Sequence, residues 1–328
     1  MAFDGKILRR ATARYEEDKR RRGERFEARR KNLYAREPRL EEIDRELSHT
    51  MAKIIANGLR RGADPRSAIA ALREENLALQ RERGELLHGM GYPVDALEEK
   101  PACASCGDTG WADGKMCRCL RAYYTRAQNE ELSQMLDLGA QSFDTFDIDL
   151  YSATQTYNRR RTARENMDHN RDVCYGFAHY FPSKVKNLLL SGDPGLGKTF
   201  LSACIAREVS EKGFSVVYDT AGHVFSRFEA QKFDRGDGEA DDDVDRVLRC
   251  DLLILDDLGT EMMGNIVPSA LYQIVNTRLM QKRATVISTN LTPNRIGERY
   301  GEAVLSRIWG EYEFLPFYGE DIRKLKKR

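Results

Sequence analysis

The sequence predicts an α/β protein, with a parallel sheet carrying helices on both faces, preceded by a helical region and a small cysteine module. Three observations carry that reading. Residues 192–199 read Gly-Asp-Pro-Gly-Leu-Gly-Lys-Thr, between the apolar run Leu188-Leu189-Leu190 and a helix-like stretch. Residues 252–257 read Leu-Leu-Ile-Leu-Asp-Asp, a run apolar on both faces that ends in two acids, which suits a central parallel strand. Downstream of residue 187, short apolar runs alternate with helical segments, the pattern of repeated strand–helix units.

The chain has 328 residues, 32% charged and 41% hydrophobic, enough for two or three domains with much exposed helix. No stretch approaches the roughly 18 apolar residues of a membrane span, and the N-terminus lacks the apolar core of a signal peptide. A cytoplasmic protein without membrane contact is expected. The formal net charge of +1 is unevenly spread: residues 1–31 hold twelve Lys/Arg against six Asp/Glu, and residues 234–245 hold seven acids and one Arg. A basic tract of this kind reads first as a solvated helix face and second as a surface for nucleic acid or an acidic partner.

In order along the chain, residues 1–98 form a helical region. Leu40, Ile43, Leu47, Met51, Ile54 and Ile55, then Ile69, Leu72, Leu77 and Leu79, recur at helical spacing, with breaks near Pro38 and Gly62–Pro65. Such stripes pack a small bundle or offer a docking face. Residues 99–139 hold the cysteine module and a linker helix near Leu120–Leu138. Residues 140–328 form the sheet domain, led by a helix over about 160–180. Within it the pattern predicts strand 188–191, helix 198–211, strand 214–218, helix 221–232, a mobile acidic loop over 234–243, strand 251–256, helix 268–281 and strand 285–290.

Cys103-x-x-Cys106 and Cys117-x-Cys119 are separated by a turn-rich insert. Four thiolates on two close turns can close a tetrahedral Zn²⁺ shell, and a closed shell leaves no position for water, so the expected zinc is structural. Reduced thiols and an iron–sulfur centre are the alternatives. Cys174, Cys204 and Cys250 sit among apolar neighbours and read as buried thiols.

Gly192, Asp193, Pro194, Gly195, Leu196, Gly197, Lys198 and Thr199 complete a phosphate loop in the strand–loop–helix context that the motif requires. Its backbone N–H groups turn inward on a chain of phosphates, helped by the helix N-terminus. Lys198 reaches the β- and γ-phosphates of ATP, and Thr199 ligates Mg²⁺. Asp256 holds Mg²⁺ directly or through water, and Asp257 is placed to polarise the attacking water. Thr289 and Asn290 end the strand expected beside the phosphate-loop strand. Arg307 follows in Leu305-Ser306-Arg307-Ile308, and Arg323 follows a short apolar segment.

These stations, in this order over residues 140–328, resemble the AAA+ helicase loaders of the DnaC/DnaI type and the related IstB transposition ATPases. The resemblance implies that Asn290 is the sensor that orients water against the γ-phosphate. It makes Arg307 a finger acting on a neighbouring subunit's ATP, and Arg323 the second sensor arginine. With 38 residues after Asn290, the helical lid is reduced or absent. The helical region plus cysteine module looks like the zinc-containing loaders. The resemblance thus implies a weak ATPase stimulated by DNA or partner, a hexameric replicative helicase gripped by the N-terminal part, single-stranded DNA bound by the ATPase domain, and assembly with its own copies when ATP is bound. A transposition helper that selects target DNA is the alternative. A third reading, in which ATP is only a conformational switch, rests on Asp rather than Glu at 257.

Overall fold

The computed structural model describes residues 3–58, 65–135, 141–157, 161–183, 185–233 and 239–325. They group into two units, Ala13–Cys117 and Met1–Thr12 with Arg118–Arg328. The helix 118–135, expected as a linker to the cysteine module, therefore groups with the sheet.

Helices α1 (Gly5–Arg36), α2 (Pro38–Gly58) and α3 (Pro65–Gly89) form in the N-terminal region. Pro38 opens α2, where its missing N–H costs nothing. Leu33, Leu40, Leu87, Ala96 and Leu97 bury one another in a small core. Leu79 is buried while Leu77, two positions away and so on the opposite side of the helix, is 48% exposed. The expected stripe residues Met51, Ile54, Ile55 and Ile69 and the break at 62–64 lie outside the described side chains and residues. The basic tract of α1 is a solvated face: Arg20, Arg21 and Arg30 pair with Glu17, Glu24 and Glu27 at helical spacing.

A two-residue hairpin, β1 (Trp111–Ala112) and β2 (Lys115–Met116), separates the two cysteine pairs, and α4 (Arg118–Met135) follows. After two 3₁₀ turns at Phe143–Thr145 and Ile148–Leu150 comes a second hairpin, β3 (Thr156–Tyr157) and β4 (Arg161–Thr162). Helix α5 (Ala163–Tyr180) starts at a capping box made by Thr162 and Glu165.

The sheet then builds from β5 (Asn187–Gly192), α6 (Lys198–Glu211), β6 (Val216–Thr220), α7 (Ala221–Phe233), α8 (Glu239–Arg249), β7 (Leu252–Leu258), α9 (Val267–Met280), β8 (Ala284–Thr289), α10 (Pro293–Tyr300), α11 (Glu302–Glu311), β9 (Tyr312–Phe317) and α12 (Ile322–Leu325). Strand order is β6-β7-β8-β5-β9 and every pairing is parallel. This is a parallel phosphate-loop sheet, with the loop strand β5 beside β8, as expected. Alternate residues of each strand feed two separate cores. Leu188, Leu190, Val216, Ile254 and Val286 pack with α5 and α6, and Leu189, Val217, Leu253, Leu255 and Ile287 with α7 to α11. Both faces are covered, which is why the strands read as unbroken apolar runs.

One expectation is corrected. The acidic segment 239–243 is the first part of α8 rather than a mobile loop, because Val244, Val247 and Leu248 give it a buried face; residues 234–238 lie outside the described ones. The segment after Asn290 forms α10, α11 and a fifth strand. Pro316 is tolerated in β9 because β9 is an edge strand, and its carbonyl accepts from Asn166 and Asn170 of α5 at 2.7 and 2.8 Å. After β9 the described residues hold the four-residue α12.

The other edge, β6, is covered by α4. Gln128, 1% exposed, accepts from Val216 N–H at 3.0 Å and donates to Ser210 Oγ at 2.6 Å and the Phe214 carbonyl at 2.8 Å. Edge strands with free N–H and C=O groups invite wrong pairing, and this side chain blocks it. Gln128→Ala strands a buried donor and acceptor, so we expect a loss of about 1–3 kcal/mol, read as a lower urea midpoint.

Candidate nucleotide site

The carboxyl ends of β5, β7 and β8 open onto a cavity of about 500 Å³. Pro194, Gly195, Gly197, Lys198 and Thr199 line it from the phosphate loop, Asp257 and Thr260 from the end of β7, Asn290 from β8, and Arg323 from α12. Of the residues singled out by sequence, Asp256 stands just behind this wall, 4% exposed.

The loop is shaped by its neighbours. Gly195 (φ 81°) has Asp321 against it, with Oδ1 1.9 Å from where a Cβ would stand, and its carbonyl accepts from Ile322 N–H at 3.0 Å. Gly197 (φ 92°) caps α6, and the Tyr151 hydroxyl lies 2.6 Å from its Cβ position. Only glycine fits either position. The Tyr151 hydroxyl donates to the Leu196 carbonyl at 3.0 Å. Lys198 Nζ donates to the carbonyls of Gly192 and Asp193 at 2.6 and 2.8 Å. Burial lowers the pKa of Lys198, an effect opposed by Asp257, Asp256 and Asp193.

Asp256 accepts from three hydroxyls: Tyr218 at 2.6 Å, Thr199 at 3.2 Å, and Ser288 at very short range. Thr199 and Asp256, the pair expected to hold Mg²⁺, are thus brought together. Between Leu255 and Leu258 the register of β7 against β8 slips, as at a bulge. Asp257 sits on that irregularity at φ 54°, a left-handed conformation that Asp adopts more readily than most residues. Its N–H donates to Ser288 Oγ at 3.0 Å and its carboxylate is open to the cavity. Desolvation by the surrounding protein raises its pKa, Asp256 adds to the rise, and Lys198 and Arg323 oppose it.

Arg323 reaches the cavity. Arg307 does not: its guanidinium stacks over the Tyr272 ring at 4.6 Å and donates to Asn276 Oδ1 at 2.8 Å, on α9. The sequence did not single out Tyr218, Ser288, Thr260 or the wall built by Phe146, Leu150, Tyr151 and Phe200. Phe146 precedes the core by about forty residues, and no local motif ties it to the loop.

The four module cysteines also come together. Their Sγ atoms all lie within 4.8 Å of one another, with Cys103 and Cys117 at 3.6 Å. A tetrahedral zinc with bonds of about 2.3 Å has sulfur edges of about 3.8 Å, so this donor set fits one Zn²⁺. Asp108 holds the first turn, accepting from the N–H groups of Ala102 and Cys103 at 2.9 and 2.8 Å. Cys174, Cys204 and Cys250 are buried, and desolvation raises the pKa of each, that of Cys204 to about 12.

A phosphate loop and two strand-end acids on the parallel sheet β6-β7-β8-β5-β9 define a phosphate-loop nucleotide-binding domain. Residues 169–328 match the family model of the IstB-like ATP binding proteins. The chain is 28% identical over 134 residues to the replicative helicase loader DnaC of Escherichia coli (strain K12), covering 40% of this chain and 54% of that protein. It is 26% identical over 149 residues to the loader DnaC of Buchnera aphidicola subsp. Baizongia pistaciae, covering 45% and 61%. The crystal structure of the DnaC helicase loader superposes with a TM-score of 0.45 at 23% identity, covering 56% of this chain and 99% of that one. The resemblance read from the motifs is borne out: residues 169–328 are similar to the IstB-like ATP binding proteins, and the chain is similar to the DnaC-type loaders. It spans about half the length of the curated relatives it matches. Among the described residues no helix is long and apolar enough to cross a membrane.

The raised pKa of Asp257 has a consequence for stability. The folded state holds the proton more tightly than the unfolded chain, so the charged carboxylate costs stability above that raised pKa, and the cost disappears below the ordinary carboxylate range. Asp257→Asn should therefore raise the melting temperature at neutral pH, and the gain should fade as pH falls through the carboxylate range. Calorimetric scans of both proteins across pH check this.

Proposed function

We propose that this protein is an ATP-dependent loader of a hexameric replicative DNA helicase, acting in the cytoplasm at the initiation of replication. The observation that carries the reading is the convergence of the phosphate loop, Asp257, Asn290 and Arg323 on one cavity, within the part of the chain that matches the IstB-like family model.

In this reading Gly192 to Thr199 cradle the phosphates, and Lys198 leaves its two loop carbonyls for the β- and γ-phosphate oxygens. Thr199 and Asp256 hold Mg²⁺, which when bound neutralises phosphate charge. Asp257 and Asn290 orient the attacking water, and Arg323 meets the charge that develops on the γ-phosphate. Arg307 stands away from its own chain's cavity, which supports its acting on the ATP of a neighbouring copy in an ATP-bound assembly. Hydrolysis is weak until DNA or partner stimulates it. Residues 1–98 dock the helicase, residues 99–139 hold the zinc module and linker helix, and residues 140–328 bind ATP and single-stranded DNA. The family model that matches is also that of IstB-like proteins, which favours, as a second reading, a transposition helper that selects target DNA.

Capture of a purified replicative helicase by the full-length protein tests the first reading. We expect co-elution and helicase deposited on single-stranded DNA when ATP is added. Lys198→Ala, which removes a charge-assisted phosphate contact, should lower ATP affinity by about tenfold or more and stop deposition while sparing capture. Stimulation of a transposase with no capture of helicase would move the assignment to the second reading.

Elemental analysis of protein purified under reducing conditions should find about one zinc per chain. Cys106→Ser should release it and make residues 99–117 sensitive to protease, because in so small a module metal affinity is folding energy. ATP binding should survive. Metal-free wild-type protein would contradict the zinc assignment.

A further inference from the structure

Behind the cavity lies a buried carboxylate that the nucleotide chemistry does not use. The side chain of Glu261 is 3% exposed. Its Oε2 accepts from Gly259 N–H at 2.9 Å. Its Oε1 accepts from Arg299 at 3.2 Å and from the Tyr300 hydroxyl at very short range. Arg299 also donates to the Glu261 carbonyl. Every donor comes either from the turn that follows Asp257 or from the last turn of α10.

We propose that Glu261 is a positioning residue that ties the state of the nucleotide cavity to α10 and α11. The proposal rests on the cavity being the ATP site. Three features argue for it. First, the turn it closes is the one that presents the water-facing groups. Thr260 lines the cavity, and its N–H and hydroxyl both donate to the Asp257 carbonyl, at 3.3 and 2.9 Å. Second, the turn has no slack on its other side. A Cβ on Gly259 (φ 109°) would stand 2.7 Å from Leu291 and 3.0 Å from Asn290 Oδ1. A shift of Asn290 or Asp257 on nucleotide binding is therefore passed to Glu261 rather than absorbed. Third, α10 leads through Gly301 directly into α11, which carries Arg307. Nothing in the packing of α10 calls for a buried acid, since Ile296 and Tyr300 already bury its apolar face. A buried carboxylate persists only where its donors are fixed, so it holds two elements in one relative position. Cavity and Arg307 are then ends of one connection, and what ATP does to the first is felt at the second.

Hydrogen exchange read by mass spectrometry on the full-length protein tests this, with and without ATP and Mg²⁺. In the unaltered protein, ATP should change exchange over residues 293–311 by about fivefold or more, the low end of allosteric coupling. Glu261→Gln keeps the shape and the bond to Gly259 but puts an amide against the Arg299 donor. It should bind ATP within about threefold of the unaltered protein while the change over 293–311 falls below about twofold. Tyr300→Phe, which removes one donor and keeps the packing, should diminish the same response, and it decides the matter if Glu261→Gln does not fold. An undiminished response in the folded variant overturns the proposal. So does loss of ATP binding in parallel with the response, which would make Glu261 merely structural, and so does a wild-type protein that binds ATP with no response in α10 and α11. A wild-type protein that binds no ATP overturns the nucleotide-site reading itself, and this inference with it.

Discussion

A carboxylate buried to 4% exposure needs donors, and Asp256 takes them from three different elements. Tyr218 comes from β6, Ser288 from β8 and Thr199 from the first turn of α6. These contacts hold together the carboxyl ends of the strands flanking β7 and seat the phosphate loop's helix against them. Sliding any one strand by a residue would turn its donor to the opposite face and leave the acid unsatisfied. The slip in register just past Asp256 is the local consequence: β7 turns Asp257 out into the cavity while Asp256 stays behind in the wall. Two adjacent acids thus acquire different environments, one enclosed by hydroxyls and one facing the space where phosphates would lie.

How much of this was legible in the sequence follows from how local each signal is. The phosphate loop, the strand ending in Asp256 and Asp257, and the paired cysteines are written in short windows, and the structure forms the loop, the strand and the cysteine cluster. Central parallel strands announced themselves because covering both faces demands unbroken apolar runs. β9 did not, since an edge strand may carry Glu313 and Pro316 and so lacks that signature. The helix α8 was hidden under a run of acids whose partners, Val244, Val247 and Leu248, show only when the segment is read at helical period. Tyr218 and Glu261 were out of reach for another reason. Their roles depend on groups 38 and 39 residues away in sequence, and no spacing rule predicts such a meeting.

The N-terminal helices have a different logic. Their core is small, built on Leu33, Leu40 and Leu87, and the long α1 carries its arginines on a solvated, ion-paired face. Surface pairs of this kind add little to stability, so the basic face is free to serve recognition. The nucleotide chemistry needs none of it.

In the proposed function, the cavity at the strand ends is an ATP site organised by the phosphate loop and Asp256. Calorimetric titration of the full-length protein with ATP, first with Mg²⁺ and then with the metal chelated, tests it most directly. We expect one saturable site per chain, displaced by ADP, and tighter with Mg²⁺ than without. Absence of saturable binding, or binding indifferent to both Mg²⁺ and the Asp256→Asn change, would contradict it.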